Sequence, residues 1–143
     1  MSSIFRHILV PVDFAEKNAA ALDVACDIAS HLDSRVTLLH VIETIEQEPD
    51  DKEMEEFYAT LETGAVEKLT AMTARFEQAG VDVGREVIFG KGAREIVQYS
   101  IDQDVDLMVL SSHKINLEQP ANEWGTLSYQ VSILCQCPAL LVK

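Results

Sequence analysis

The feature that most constrains this chain is an alternation. Five short, near-continuous apolar runs are separated by longer segments whose apolar residues recur every three or four positions. The runs are residues 4–10 (IFRHILV), 35–42 (RVTLLHVI), 83–89 (VGREVIF), 106–110 (DLMVL) and 139–142 (ALLV). Strands with so few polar positions belong in a sheet whose two faces are both covered. The segments between them supply the cover. Residues 15–32 set Ala19, Leu22, Ala25, Cys26, Ala29 and Leu32 at helical spacing, and residues 51–79 do the same with Phe57, Leu61, Ala65, Leu69, Met72 and Phe76. Gly80 is the expected stop of that second helix. A helix over 93–103 and a last one, opened by Gly125-Thr126 and ended before Pro138, complete the series. This pattern predicts an α/β fold: an open, Rossmann-like, five-stranded parallel sheet with helices on both faces.

The 143 residues contain no internal repeat, linker or low-complexity tract, so one domain spanning 1–143 is expected. A chain of this length can hold a full core without metal or disulfide staples. Cys26, Cys135 and Cys137 are odd in number and lack paired metal or redox spacing, so they read as free buried thiols, and no metal site is assigned. No apolar run approaches the roughly 18 residues that cross a bilayer, and the first residues do not resemble a leader, which predicts a cytoplasmic protein away from membranes. The formal net charge of −13 would repel nucleic acid and excludes its binding as the main role. More than half of that charge is local, because residues 43–56 carry eight acids against Lys52 alone. This acidic stretch reads as a solvated loop and helix start, with metal or partner recognition as the sharper alternative.

Ligands of open parallel sheets bind beyond the carboxyl ends of the strands, where the strand order reverses. The groups expected there are Pro11-Val12-Asp13, His40-Val41-Ile42, Gly90-Lys91-Gly92 and Ser111-Ser112-His113-Lys114. Asp13 can cap the following helix or meet a ligand, and one carboxylate can do both. Residues 111–126 collect hydroxyls, an imidazole and an ammonium before Gly125-Thr126 at a helix start, a place that suits phosphate. Gly125 would admit close backbone approach, and the Thr126 and Ser128 hydroxyls could donate to phosphate oxygens. The same residues also read as an ordinary helix start. His113 could donate to a phosphate or stand in solvent, whereas His40 reads as a core or strand-end histidine. Trp124 is expected to pack the loop, and the turn-rich 119–122 to form a flap over the site. No nucleophile elbow, Walker-type phosphate loop or metal dyad is present, so no catalytic residue is assigned. Asp13 and His113, placed across the same crevice, could at most activate a water.

Taken in order, Ile8-Leu-Val-Pro-Val-Asp13, Leu39-His-Val41, Phe89-Gly-Lys-Gly92, Asp106-Leu-Met-Val-Leu110, Gly125-Thr126 and Cys137-Pro-Ala-Leu-Leu-Val142 make the chain resemble the universal stress protein family nearly end to end. The resemblance implies a strand order of 3-2-1-4-5, a bound adenine nucleotide (ATP, ADP or AMP, with magnesium), and a homodimer formed through the last strand. It implies that Asp13 contacts adenine and that Pro11, Val12 and Val41 line its pocket. Leu110, Ser111, Ser112, His113, Lys114, Gly125, Thr126, Leu127 and Ser128 would hold ribose and phosphates. The family's nucleotide-binding pattern is Gly, two residues, Gly, nine residues, then Gly with Ser or Thr. Here Ser111 and Lys114 occupy the first two glycine positions, and ten residues precede Gly125. A side chain at either position takes up room and penalises positive φ, while the Lys114 ammonium could replace amide donors at a phosphate. The implied role is a nucleotide-binding stress-response regulator. The alternatives are a dimeric protein-interaction module that has lost the nucleotide, and a slow ATPase.

Overall fold

The computed structural model describes residues 4–44, 52–114, 117–118 and 126–143. Trp124, Gly125, the 119–122 turn and residues 45–51 of the acidic stretch lie outside the described residues. The elements in chain order are β1 (His7–Pro11), α1 (Asn18–Leu32), β2 (Arg35–Glu43), α2 (Lys52–Gln78), β3 (Val83–Gly90), α3 (Gly92–Asp102), β4 (Leu107–Ser111), α4 (Leu127–Leu134) and β5 (Ala139–Val142). All strand pairs are parallel, in the order β3-β2-β1-β4-β5. Ile8 stands opposite both Val36 of β2 and Leu107 of β4, so the order reverses at β1.

Alternation along the strands splits the core in two. Ile8, Val10, Val36, Leu38, Leu107 and Val109 face one side and pack with Leu22 of α1 and Leu69 and Phe76 of α2. Leu9, Leu39, Met108 and Leu110 face the other and meet Ile96 of α3 and Val131 of α4. Ala21, Ala25 and Ala29 form a stripe of small buried residues on α1 that lets the helix lie close to the sheet. A fully buried side chain such as Phe76 contributes about 1.5–3 kcal/mol. After α2, Gly80 takes a left-handed φ of 73°, and the Val81 N–H reaches back to the Phe76 carbonyl at 2.9 Å, closing the helix where the sequence indicates.

Two boundaries differ from expectation for tertiary reasons. β1 starts at His7 and not at residue 4, because Phe5 turns at φ 55° and Ile4 is exposed. The Asp106 carboxylate then accepts from the Arg6 and His7 N–H groups at 2.8 and 3.0 Å, so the start of β1 is clamped by a residue 99 positions after His7. α1 starts at Asn18 and not at residue 15, since Phe14 holds φ 67°. Among the described residues, no helix is long and apolar enough to cross a membrane.

Candidate functional site

At the carboxyl end of β1 the chain does not pass straight into α1. Asp13 Oδ1 accepts from the Ala15 N–H at 3.0 Å, which closes a local turn, and Lys17, without a side-chain cap bond, stands at the helix N-cap. Asp13 is therefore not the cap of α1. Its carboxylate stays exposed, with Lys17 Nζ 3.9 Å from Oδ2. A positive φ at a bulky residue such as Phe14 is strained and persists only where its surroundings hold it. Here its ring stacks on His40 with centroids 4.3 Å apart, and Lys68 Nζ lies 5.1 Å over its centre. His40 in turn donates from Nδ1 to the Val12 carbonyl at 2.7 Å, so the β2 histidine pins the loop that carries Asp13.

Across the strand-order reversal, Ser111 is the last residue of β4 and is buried, where the sequence reading had it opening a polar loop. Its burial is made possible by Asn18, which donates from Nδ2 to Ser111 Oγ at 2.8 Å while its Oδ1 accepts from the Asp13 N–H at 3.1 Å. One amide thus ties both ends of the reversal together. Ser111 also fixes α4, since its carbonyl accepts from the Ser128 hydroxyl. The Ser128 proton is committed there and not offered outward. Thr126 is the N-cap of α4; its Oγ1 accepts from the Tyr129 N–H at 3.3 Å and keeps its own proton for another acceptor.

Between these groups lies a crevice of about 110 Å³ with an open mouth. Its lining includes Pro11, Val12, Val41, Leu110, Leu127 and Val131, with the polar groups of Asp13, Ser111, Thr126 and Ser128. Ser112, His113 and Lys114 are not in its lining. The Ser112 N–H bonds the Val142 carbonyl at 2.8 Å, prolonging the β4–β5 ladder, and His113 and Lys114 are exposed beyond it. His40, expected at the end of its strand, also borders the crevice, and three polar contributors were not foreseen as ligand-contacting residues: Lys17, Asn18 and Glu43. Glu43 Oε1 accepts from Gly92 N at 3.3 Å, placing a carboxylate at the positive end of α3, and a Cβ at position 92 would come within 2.9 Å of that oxygen. An acid at the end of an apolar strand, 49 residues before a Gly at a helix start, was the available sign. The groove offers an apolar slot rimmed by two carboxylates, a lysine and a helix start. Among the described residues no group of three potential ligands could hold a metal.

A profile of the universal stress protein family matches residues 4–143. The chain belongs to that family. It is 29% identical over 160 aligned positions to the universal stress protein MJ0577 of Methanocaldococcus jannaschii, covering 100% of this chain and 98% of the relative. The solved structure of MJ0577 superposes with a TM-score of 0.78 at 28% identity, covering 98% of this chain and 96% of that one. A universal stress protein in complex with cAMP superposes with a TM-score of 0.73 at 17% identity, over 99% of both chains. The universal stress protein of Archaeoglobus fulgidus in complex with dAMP gives 0.69 at 17% identity, over 98% of this chain and 99% of that one. At those identities the likeness to the last two is one of fold.

Against this universal stress protein frame, the two departures at glycine positions separate. Neither Ser111 nor Lys114 has a positive φ, so the backbone penalty anticipated for a side chain there does not arise. Ser111 turns its hydroxyl into the Asn18 bridge, whereas Lys114 lies outside the crevice on an exposed segment.

Proposed function

We propose that this universal stress protein is a stress-response regulator that binds an adenine nucleotide across the reversal between β1 and β4. The observation that carries the reading is the shape and chemistry of the crevice. Its volume is below the roughly 300–1,000 Å³ of a pocket that encloses a whole ligand, so it suits a flat base alone. Val12, Val41 and Leu110 would sandwich the ring, and the Asp13 carboxylate would accept from the exocyclic amine of adenine. Ribose and phosphates would lie in the open mouth, toward the Thr126 hydroxyl and the N-terminus of α4. Gly125, Leu127 and Ser128 would shape that end, and Ser112, His113 and Lys114 would close on the phosphates from outside. Asp13 and Glu43 disfavour a bare triphosphate, so ATP would arrive with magnesium held mainly by its own phosphates. The cAMP and dAMP complexes of relatives support the ligand class. The same reading takes 1–143 as a single domain in the cytoplasm, working as a homodimer paired through the exposed Leu140 and Leu141 of β5.

Isothermal calorimetry with magnesium-ATP, ADP and AMP tests the proposal, with GTP as the base control. Saturable binding of adenine nucleotides near one per chain is expected, and Val41→Trp, which fills the slot from a half-exposed position, should abolish it. No heat at millimolar nucleotide, in a protein that remains folded, would overturn the nucleotide reading and leave the dimeric interaction module. Steady phosphate release lost in Asp13→Ala or His113→Ala would add an ATPase. In this structure Asp13 is bonded to Ala15 and paired with Lys17, not with His113.

A further inference from the structure

A different pair of side chains stands apart from the crevice. Cys135 and Cys137 were expected as buried thiols, yet both are half-buried and free, and the Cys135 sulfur lies 3.3 Å from the Cys137 carbonyl oxygen. The chain leaves α4 at Cys135, whose N–H still bonds the Val131 carbonyl at 2.9 Å, and bends at Gln136 and Cys137 before β5. That bend brings the Cys135 sulfur onto the backbone of Cys137, two residues further on. The Cys135 thiol donates weakly to the Cys137 carbonyl at 3.3 Å and the Ser132 carbonyl at 3.6 Å, and neither contact survives loss of the sulfur's proton. Cys26 has no such neighbour. It sits between α1 and α2 with its thiol 3.9 Å from the Arg75 carbonyl.

We propose that Cys135 and Cys137 form a reversible two-electron redox site, closed to an intramolecular disulfide by a neutral hydroperoxide. In the first step the Cys135 thiol gives up its proton and the thiolate attacks one oxygen of hydrogen peroxide; the O–O bond breaks, Cys135 becomes a sulfenic acid, and the leaving hydroxide takes up that proton and departs as water. In the second step Cys137 sulfur attacks the sulfenic sulfur, the S–O bond breaks, and the Cys137 proton leaves with the hydroxyl as a second water. Two thiols and one peroxide thus give one disulfide and two waters. Burial, aided by the neighbouring Cys135, pushes the Cys137 thiol up to about 11, so it keeps its proton at neutral pH and serves as the resolving partner. A neutral oxidant is specified because a chain of net charge −13 repels anionic disulfides. The site lies at the entry to β5, so closure stiffens the turn in front of the exposed edge strand.

The test is peroxide treatment of the purified full chain, followed by thiol titration, intact mass and peptide mapping. Titratable thiols should fall from three to one per chain, and the mass should drop by about 2 Da with the link mapped to 135–137. Dithiothreitol should restore all three thiols. Cys26→Ser should still lose two thiols, Cys135→Ser should lose none, and Cys137→Ser should stop at the sulfenic or higher acids of Cys135. Thiol loss that persists in Cys135→Ser, a bond to Cys26 or between chains, or oxygen addition without the loss of hydrogen in the wild type would overturn the proposal.

Discussion

Removing the Asn18 side chain tests how the candidate site is held together. Asn18 is 2% exposed and bridges Ser111 Oγ at 2.8 Å and the Asp13 N–H at 3.1 Å, spanning both sides of the strand-order reversal. Each lost hydrogen bond costs about 0.5–1.5 kcal/mol net, and a buried partner left unsatisfied costs about 1–3 kcal/mol. The crevice borders Asn18, so water entering the space left by Asn18→Ala can re-pair one of the two partners. The expected loss is therefore about 2 kcal/mol, in the middle of the range and not at its top. For a chain of this size that is a fall in Tm of about 6–10 °C. Urea unfolding followed by circular dichroism gives the free energy directly, and an unchanged m-value would show that the native state keeps its compactness. The decisive arm is a double-mutant cycle with Ser111→Ala. If the bridge is real, the double variant should lose at least about 0.5 kcal/mol less than the sum of the single losses. A single-variant loss under about 0.5 kcal/mol, or strict additivity, would refute the bridge as the fastener of the site.

His7 donates from Nδ1 to the Gln103 carbonyl at 3.1 Å, and its Nε2 lies 2.8 Å from the Thr37 hydroxyl. Burial lowers its pKa from the ordinary 6.5, with the Arg35 charge acting the same way and the Gln103 bond and Asp106 opposing. The unfolded chain then takes up the proton first, so this contribution is complete above pH 6.5 and shrinks as pH falls through the folded value. Urea titrations from pH 7 to 5 should show that loss in the wild type and a flatter profile in His7→Gln. Gly90 and Gly64 should respond oppositely to alanine. At Gly90 the φ of 146° and a Cβ 2.5 Å from Glu95 Cγ predict a loss of about 1–3 kcal/mol, whereas Gly64, mid-helix with open space around it, should gain about 0.5–1 kcal/mol. Leu140→Lys, on the exposed edge strand, should shift native mass spectra from dimer to monomer without changing the circular dichroism spectrum. A variant that stays dimeric would place the interface elsewhere.

The periodicities carried most of the architecture because they report burial, and burial is what the fold obeys. β5 occupies the four residues read from the sequence, since Pro138 bounds it on one side. The long α2 ends at Gln78, one residue short of the expected end, and its expected first residue, Asp51, lies outside the described residues. What could not be read were interactions whose two halves are far apart in the chain. A serine at the end of an apolar run resembles the start of a loop; its pairing with Val142 of β5 extends the strand through Ser111, and the Asn18 amide, 93 residues earlier, satisfies its buried hydroxyl. In the same way nothing local marks Phe14 for a positive φ, because the surfaces that hold it come from His40 on β2 and Lys68 on α2. Asp13 looked like a helix cap for the usual reason, its place just ahead of a helical pattern. The turn imposed by Phe14 leaves it bonded to Ala15 and facing the crevice rim instead.

The same logic explains why the glycine pattern of the family cannot be restored here one residue at a time. Glycine at position 111 would remove the Oγ that Asn18 bonds, leaving a buried amide without its partner and releasing its grip on β4. Ser111→Gly would thus loosen one wall of the crevice at the moment it widens it. Lys114 is different, because it stands exposed and outside the crevice lining, and its replacement disturbs no described packing. A compensating pair, Ser111→Gly with Asn18→Ala, removes the orphaned amide as well as the hydroxyl. It should therefore be closer in stability to Asn18→Ala alone than the sum of two independent losses allows. Serine at 111 and asparagine at 18 thus act as one structural unit, in which a hydroxyl and an amide hold the two sides of the reversal together.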